Sequence, residues 1–468
     1  MTQPTAPSVG LIETDLPAFG LPSSQPQIPA SVFAARLAEA RRRVAAAGCD
    51  ALVVYGDREH AANVAYLTGY DPRFEETLLV VVPGRRPVLM LGNEGFGFAT
   101  LAAGDFDRVL CQSFSLPGQP RDRQLPLGVL LAEAGLTAGM RVGCVGWKMF
   151  DAGDPGADEG WLDLPDFIAG RLRAVVGPGV LVNLARLFID PADGMRATSE
   201  VDQLACFEFA ASFGSEGLRR VLFGIREGMS ELEACALMGA NGLPLAAHTM
   251  LSAGARAVHG LPSPSMDRIA LGAPITMAYA PQGSLTARAG FLATDAGDLP
   301  EGIRDYVDKL AAPYFGAIAE WYGAIGIGVE GGVLFDIIHR HLGDGFFGVG
   351  LNPGHLIHLD EWMHSPIFAG SRIALRSGMA IQLDVIPATH SPWFTTNIED
   401  GIALADAALR EEFAARYPEA WERIGRRRAF MGEVLGIRLK PDVLPFSNIP
   451  AYLPPFWLSP RRVLALKT

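Results

Sequence analysis

The chain lacks the features that mark several broad classes of protein. Its 468 residues contain only five cysteines, Cys49, Cys111, Cys144, Cys206 and Cys235, and no two of them form a CxxC pair. An odd number of widely spaced thiols favours a reducing compartment over a disulfide framework or a zinc site. We therefore expect a cytoplasmic protein whose cysteines are small core residues.

Positive charge and long apolar runs are also scarce. Lysine and arginine number 39 against 51 aspartates and glutamates, and no basic run is longer than Arg41–Arg43 or Arg426–Arg428. Phosphate binding needs a clustered positive face, so we expect no nucleic-acid partner. No apolar run approaches the roughly 18 residues that span a bilayer, and the N-terminus does not follow the pattern of a signal peptide. No membrane partner is expected either.

The first half of the chain has the pattern of an α/β domain. A length of 468 residues predicts more than one domain. Residues 1–30 are rich in Pro, Ser, Thr and Gln and show no helical or strand period, which predicts an N-terminal arm. Residues 31–190 begin with an amphipathic helix that ends at Gly48, and short apolar strands then alternate with helices.

A second domain is predicted over residues 191–425. A turn-rich segment precedes a long helix for which Thr198 or Ser199 is the expected cap, and a second helix is expected to start near Ser230. Strands and helices then follow one another. The Pro-rich tail, residues 426–468, carries too many prolines for a regular element and is expected to wrap over a surface or an interface.

Six segments occur in the order that is found in one known family. They are YLTGYDPRFEE (66–76), DGMRATSEVDQL (193–204), the region of His259, GHLIHLDEWMHSP (354–366), SGMAIQLDVIP (377–387) and NIEDGIALAD (397–406). Together they resemble the creatinase, prolidase and aminopeptidase P family over roughly residues 31–410. The resemblance implies an N-terminal α/β domain with a mixed sheet, followed by an α+β pita-bread domain, usually in a homodimer.

Metallopeptidases of that family hold two cations with two Asp, one His and two Glu residues, and a shared hydroxide becomes the nucleophile. On this chain the resemblance places the His at His355 and the two Glu positions at Asp384 and Glu399. The residue at 384 is therefore an Asp where the family has a Glu.

The two Asp ligands of the family have no counterpart here. They should lie in the predicted hairpin 275–294, but no Asp or Glu occurs between Asp267 and Asp295. The corresponding positions fall near Thr276 or Ala278 and near Ala287 or Ala289. Three protein ligands are too few for a stable two-metal cluster, so the sequence predicts no metal and no cofactor.

Creatinases are the members of the family that lack the metal, and their hairpin is similarly empty of aspartates. Residues 252–277 resemble the creatinase segment that presents the catalytic histidine, which would make His259 the general base and acid. Imidazole can take a proton from water as the water attacks a carbon bonded to nitrogen, and can return it to the leaving amine. The alternative is a loop histidine with no catalytic role.

Asp384 and Glu399 are expected to act with His259. Two carboxylates shaped to face dications must share a proton, bind each other through water, or receive a cationic ligand when the ions are gone. This favours a small cationic or zwitterionic substrate, such as a guanidinium or ammonium compound. The Asp384 side chain is one methylene shorter than the Glu of the family, so the resemblance does not identify the substrate as creatine. The alternative is that Asp384 only forms hydrogen bonds to the backbone.

Four further residues are candidates for substrate binding. His355 and His364 are expected to line the pocket, and His358 competes with His364 for its place. The alternative is that either one is only a histidine of the core or of the pocket rim. Arg73 and Phe74 resemble the N-domain loop that reaches across the creatinase dimer to grip the substrate, and an Arg fork suits a carboxylate. A solvated turn is the other interpretation of that loop.

The leading hypothesis is a metal-independent, creatinase-like hydrolase of a C–N bond. Dimethylsulfoniopropionate lyases share the fold and also take a cationic substrate, but they carry a metal. A Xaa-Pro peptidase-like metalloenzyme with a relocated ligand such as Asp295 is another candidate. A non-catalytic pita-bread protein that only binds a small molecule or a protein partner is the hypothesis from a different class.

Overall fold

The computed structural model describes residues 8–150, 153–158 and 160–467. They form two compact units, one made of residues 27–197 and the other of the residues before 27 and after 197. No described helix is both long and apolar enough to cross a membrane.

The elements of the first half are short and mostly buried. In chain order they are β1 (Val9–Glu13), α1 (Ala30–Ala46), β2 (Ala51–Gly56), α2 (Ala62–Thr68), β3 (Thr77–Val81), β4 (Val88–Leu91), α3 (Asn93–Phe98), β5 (Asp107–Leu110), α4 (Leu127–Glu133), β6 (Arg141–Val145), α5 (Asp166–Val176), β7 (Val180–Asn183) and α6 (Arg186–Ile189). All of them except β1 lie in the first unit.

A mixed sheet organises the first unit. Its strand order is β5-β4-β3-β2-β6-β7 among the described residues. The pairs β2–β3 and β3–β4 are antiparallel, whereas β2–β6, β4–β5 and β6–β7 are parallel. Strands β2 and β3 are buried along their whole length, as expected for apolar runs covered on both faces. The predicted α/β domain with a mixed sheet is therefore confirmed, and α1 ends two residues before Gly48.

The second unit combines helices with an antiparallel sheet. Its elements are α7 (Val201–Gly224), α8 (Glu231–Ala236), β8 (Met250–Ala253), β9 (Pro274–Tyr279), β10 (Thr286–Phe291), α9 (Ala312–Ala324), α10 (Gly331–Leu342), β11 (His355–Leu356), β12 (Ala380–Asp384), β13 (Asn397–Leu404), α11 (Ala407–Arg416), α12 (Pro418–Glu433), β14 (Val443–Pro445) and β15 (Arg462–Leu466). The sheet runs β11-β12-β13-β10-β9-β8 within the described chain, and β14 also pairs with β13.

Of the two predicted helix starts in this unit, one is confirmed and the other is wrong. Helix α8 begins as predicted, because the Ser230 hydroxyl accepts from the Glu233 N–H at 3.1 Å and the Glu233 carboxylate accepts from the Ser230 N–H at 2.7 Å. The predicted cap of α7 at Thr198 or Ser199 is wrong, since Glu200 is the residue before the helix. The Ser199 N–H donates to the Gly378 carbonyl instead, at 2.8 Å.

Both chain ends contain regular structure that the prolines concealed. Strand β1 pairs antiparallel with β15, from Val9 opposite Leu466 to Glu13 opposite Arg462. The expectation that the arm and the tail contain no regular element is therefore wrong for these strands, and helix α12 crosses the predicted boundary at 426. Apart from Pro445, which ends β14, the prolines of the described arm and of residues 426–468 lie outside the strands, where a missing N–H costs no ladder hydrogen bond. The arm before residue 8 lies outside the described residues.

Candidate active site

The two candidate catalytic carboxylates stand opposite each other on neighbouring strands. Asp384 at the end of β12 pairs with Glu399 in β13, and Gln382 on β12 pairs with His355 on β11. Residues opposite each other in an antiparallel pair, and residues two apart on one strand, project from the same face of the sheet. Asp384, Glu399, Gln382 and His355 therefore share one face.

A fifth side chain reaches this group from the loop after β11. The carboxylate of Glu361 lies 3.4 Å from Nε2 of His355, and the carboxylate of Glu399 lies 3.7 Å from the same nitrogen. One ligand atom from each of these three residues lies within 4.8 Å of the others, a spacing at which they could hold a metal ion. We call His355, Glu361, Asp384 and Glu399 the acidic cluster.

The ring of His355 is held in place from two sides. Its Nδ1 lies 3.2 Å from the carbonyl oxygen of Leu356, and the indole of Trp362 stacks on it with ring centroids 4.1 Å apart. A carbonyl can only accept, so Nδ1 carries a hydrogen, and Nε2 is the ring nitrogen that faces the carboxylates.

Burial dominates the electrostatics of the acidic cluster. It raises the pKa of Glu361 to about 7, with further increases from Glu399 and Asp384 and an opposing effect of His355. Burial, and then the neighbouring Asp384, raise the pKa of Glu399 well above its usual value. Burial also raises the pKa of Asp384 while His355 lowers it. The cluster disfavours three free negative charges in the absence of a cation.

Several polar atoms on this face have no partner in the part of the chain that the structure describes. They are Nε2 of His355, Oδ1 of Asp384 and Oε1 of Gln382, and all three residues are buried. Buried polar atoms are rarely left without a hydrogen bond in native proteins. Unpartnered buried atoms on one face of the sheet are available to a bound ligand.

The hairpin next to these residues is apolar where the family has its aspartates. Ala287 lies opposite Glu399, and Ala278 lies opposite Ala287, in one row across the sheet. Both alanines belong to a buried cluster with Met250, Ala280 and Leu285. The other two candidate positions, Thr276 and Ala289, also lie opposite each other. Since no carboxylate faces Glu399 from β9 or β10, the two-cation arrangement of the family does not fit this chain.

The structure does not bring His259 into the acidic cluster. His259 ends a 3-10 helix, Gly254–His259, that directly follows β8. Strands β9 and β10 separate β8 from β13, so the two lie about 14 Å apart along the sheet at the usual strand spacing. The ring is exposed and, within the described ranges, forms no hydrogen bond.

The other predicted substrate-binding residues lie in varied surroundings. His364 is half-buried and pairs with β11 through a bridge to Leu356, and its Nδ1 accepts from the Ser365 N–H at 2.8 Å. His358 is fully buried, with its ring against that of Phe207 at 5.2 Å between centroids.

The predicted gripping loop lies between α2 and β3 in the first unit. The Phe74 side chain is 62% exposed, and the guanidinium of Arg73 lies 4.0 Å from the Asp71 carboxylate. The relocated ligand suggested by sequence, Asp295, is exposed and accepts from the Gly297 N–H at the start of a 3-10 turn. It does not belong to the acidic cluster.

Sequence reasoning missed Glu361 and Trp362. Both lie in the segment 354–366, in which His364 stands two residues later than in the family, so that the apparent insertion contains Asp360 and Glu361. An acidic residue inserted close to His355, which occupies a metal-ligand position of the family, was the available signal. Whether the loop carries Glu361 toward His355 or away from it is not specified by the local sequence.

Comparisons with known proteins agree with the fold. Residues 36–118 match the model of the creatinase/prolidase N-terminal domain. The prolidase from Pyrococcus horikoshii has a TM-score of 0.60 at 16% identity, covering 79% of this chain and 95% of that one. The prolidase from Thermococcus sibiricus has a TM-score of 0.61 at 15% identity, with 80% and 95% covered. The Xaa-Pro dipeptidase from Bacillus anthracis has a TM-score of 0.58 at 15% identity, with 80% and 96% covered.

A search of curated protein sequences finds no significant match. The matches to the domain model and to the solved structures confirm the resemblance to the creatinase, prolidase and aminopeptidase P family, and with it the pita-bread fold. At these identities the structural likeness establishes the fold alone.

Proposed function

We propose that the protein is a hydrolase that cleaves a C–N bond in a small cationic or zwitterionic substrate bound beside the acidic cluster. The observation that carries the proposal is the buried face on which Asp384 lies opposite Glu399, next to the unpartnered Nε2 of His355. Prolidases and a Xaa-Pro dipeptidase share the fold, which supports a C–N bond as the target.

The charge of the acidic cluster supports a positive group in the substrate. Glu361, Asp384 and Glu399 supply three carboxyl groups, and no Lys or Arg within the described ranges forms an ion pair with any of them. An ammonium or guanidinium group would restore the charge balance and satisfy the open oxygens. Buried carboxylates that interact this closely do not all stay ionised without such a partner.

His259 remains our proposed proton carrier, on the strength of its resemblance to the creatinase histidine. Its exposed ring is available to exchange protons with solvent, and it would contact the substrate only if the substrate extends toward β8. Metal independence is not part of the proposal, since Glu361 lies with His355 and Glu399 at a spacing at which the three could hold a metal ion.

A homodimer in which Arg73 and Phe74 grip the substrate of the partner also remains a proposal. The Phe74 side chain is exposed and therefore accessible to a partner surface. In such a dimer the Arg73 fork would bind a substrate carboxylate.

The test is a hydrolysis panel of Xaa-Pro dipeptides, guanidino compounds, ureido compounds and N-acyl amines, with release of amine, ammonia or urea as the signal. Wild type should turn over at least one class. Glu399→Gln should lower kcat/KM for it by about 100-fold or more, the usual effect of losing an acid–base group. His259→Ala should lower kcat by a similar factor.

His341→Ala is the matched control, because this histidine pairs with Glu320 on the surface of α9 and α10 and should leave turnover unchanged. A panel member that binds without turnover would replace the hydrolase with a non-catalytic binding protein. Full activity in His259→Ala would remove that residue from the mechanism and leave the acidic cluster as the site.

A further inference from the structure

We infer that the chain binds one divalent first-row transition-metal ion, such as Zn²⁺, Mn²⁺ or Co²⁺, between His355, Glu361 and Glu399. Glu361 takes the place of the missing hairpin aspartates as the third ligand, so the site holds one ion and not two. This inference concerns binding and does not rest on the proposed reaction.

The spacing of the donor atoms suits a single ion. Nε2 of His355 lies 3.4 Å from the Glu361 carboxylate and 3.7 Å from the Glu399 carboxylate. Ligands bound at about 2.1 Å in tetrahedral geometry are about 3.4 Å apart, which matches these separations. The atoms lie too far apart for strong hydrogen bonds to one another, but close enough to share an ion.

The orientation of His355 suits a bound cation. Nδ1 carries a hydrogen toward the Leu356 carbonyl, so in the neutral ring Nε2 has a lone pair and no hydrogen to give. Nε2 lies near two carboxylate groups in a buried place and has no hydrogen-bond partner among the described residues. A cation between these three groups would be attracted by all of them.

The surroundings resemble the supporting shell of a metal site. The carbonyl that receives the Nδ1 hydrogen and the stacked Trp362 ring fix the orientation of the imidazole, as outer-shell groups do for metal-bound histidines. The Glu361 side chain is 24% exposed, whereas His355 is fully buried. Glu361 is therefore the most solvent-accessible of the three proposed ligands.

A second ion has no comparable place. The neighbouring positions on β9 and β10 are Ala278 and Ala287, packed with Met250 and Leu285 in an apolar cluster. An imidazole with two carboxylates is a borderline donor set that favours transition ions over Ca²⁺ or Mg²⁺. A single divalent ion would leave one negative charge from Asp384, which is free for a cationic group of a substrate.

The test is a titration of chelator-stripped protein with Zn²⁺ and Co²⁺, using equilibrium dialysis with elemental analysis. Wild type should bind one ion per chain, and the bound Co²⁺ should show ligand-field absorption. Glu361→Gln should raise the Kd by at least about 10-fold, because even outer-shell changes have effects of that size. Glu361→Asp, which keeps a carboxylate, should recover part of the affinity.

Asp360→Asn is the matched control, since it removes the same charge one residue away and should bind like wild type. The melting temperatures of the stripped Glu361→Gln and Asp360→Asn proteins should agree, which separates lost binding from lost folding. Absence of binding, two ions per chain, or unchanged affinity in Glu361→Gln would each overturn the inference.

The two proposals fail in different ways. One bound ion without hydrolysis of any panel member would keep the metal site and reject the hydrolase. Hydrolysis by protein that binds neither metal would keep the hydrolase and reject the metal site.

Discussion

At the scale of single residues, the site is defined as much by two alanines as by its carboxylates. Ala278 and Ala287 occupy the row that contains Glu399 and Asp384, and the apolar side chains of Met250 and others fill the space beside them. A buried carboxylate is tolerated only when a partner or an ion compensates its charge. One sheet therefore has an apolar half, on β9 and β10, and a half with buried carboxylates, on β12 and β13.

Ala287→Asp tests this contrast. An added carboxylate would be buried against Glu399 with no cation in the apolar half, so the free energy of unfolding should fall by about 3–5 kcal/mol near neutral pH. Ala287→Asn has the same shape without the charge and should cost less. Thermal unfolding of both variants measures the difference, and equal melting temperatures would contradict an apolar hairpin.

Sequence alone predicted part of the site. His355, Asp384 and Glu399 were identified from their motifs, and their strands place them together on one face. Glu361 was missed because a loop brings it to the cluster, and no periodicity encodes the path of an inserted loop. His259 was predicted as a partner of the carboxylates, yet it lies exposed beyond β8.

At the scale of elements, α12 is joined to α7 by buried ion pairs. The Glu208 carboxylate accepts from Arg423 at 2.6 Å and from Arg427 at 2.8 Å, and all three side chains are buried. The second arginine also donates to Ser212 and Asn448. This network holds the C-terminal segment against the long helix.

Glu208→Ala should therefore be strongly destabilising. It leaves two buried guanidinium groups without their carboxylate, which costs about 3–5 kcal/mol. Glu412→Ala is the comparison, because Glu412 forms only an exposed pair with Arg416 and should cost less than about 1 kcal/mol. Chemical denaturation of both proteins gives the two values, and a small loss in Glu208→Ala would contradict a structural role for the network.

Elements with a clear period were predicted, and those marked by proline were not. Strands β2 and β3 and helix α1 follow directly from apolar runs and amphipathic spacing. Helix α12 carries a low apolar content and an initial Pro418, and β15 is a short strand close to the chain end. Long-range pairing with β1 stabilises β15, and such pairing leaves no local signal.

At the scale of the whole molecule, the prediction concerns the oligomeric state. The resemblance implies a homodimer, and light scattering of the full chain should give a mass of twice the 50.0 kDa of one chain. Phe74→Ser should raise the dissociation constant of the dimer if that exposed ring lies in the interface. A monomeric wild type would contradict the proposed role of Arg73 and Phe74 across the dimer.

A pita-bread site that has kept one cation position and lost the other should be visible in a crystal. The decisive measurement is anomalous diffraction at the zinc edge, from crystals grown with Zn²⁺. We predict one peak per chain, bounded by His355, Glu361 and Glu399, and none beside Ala278 and Ala287. Two adjacent peaks, or no peak at the acidic cluster, would contradict the account.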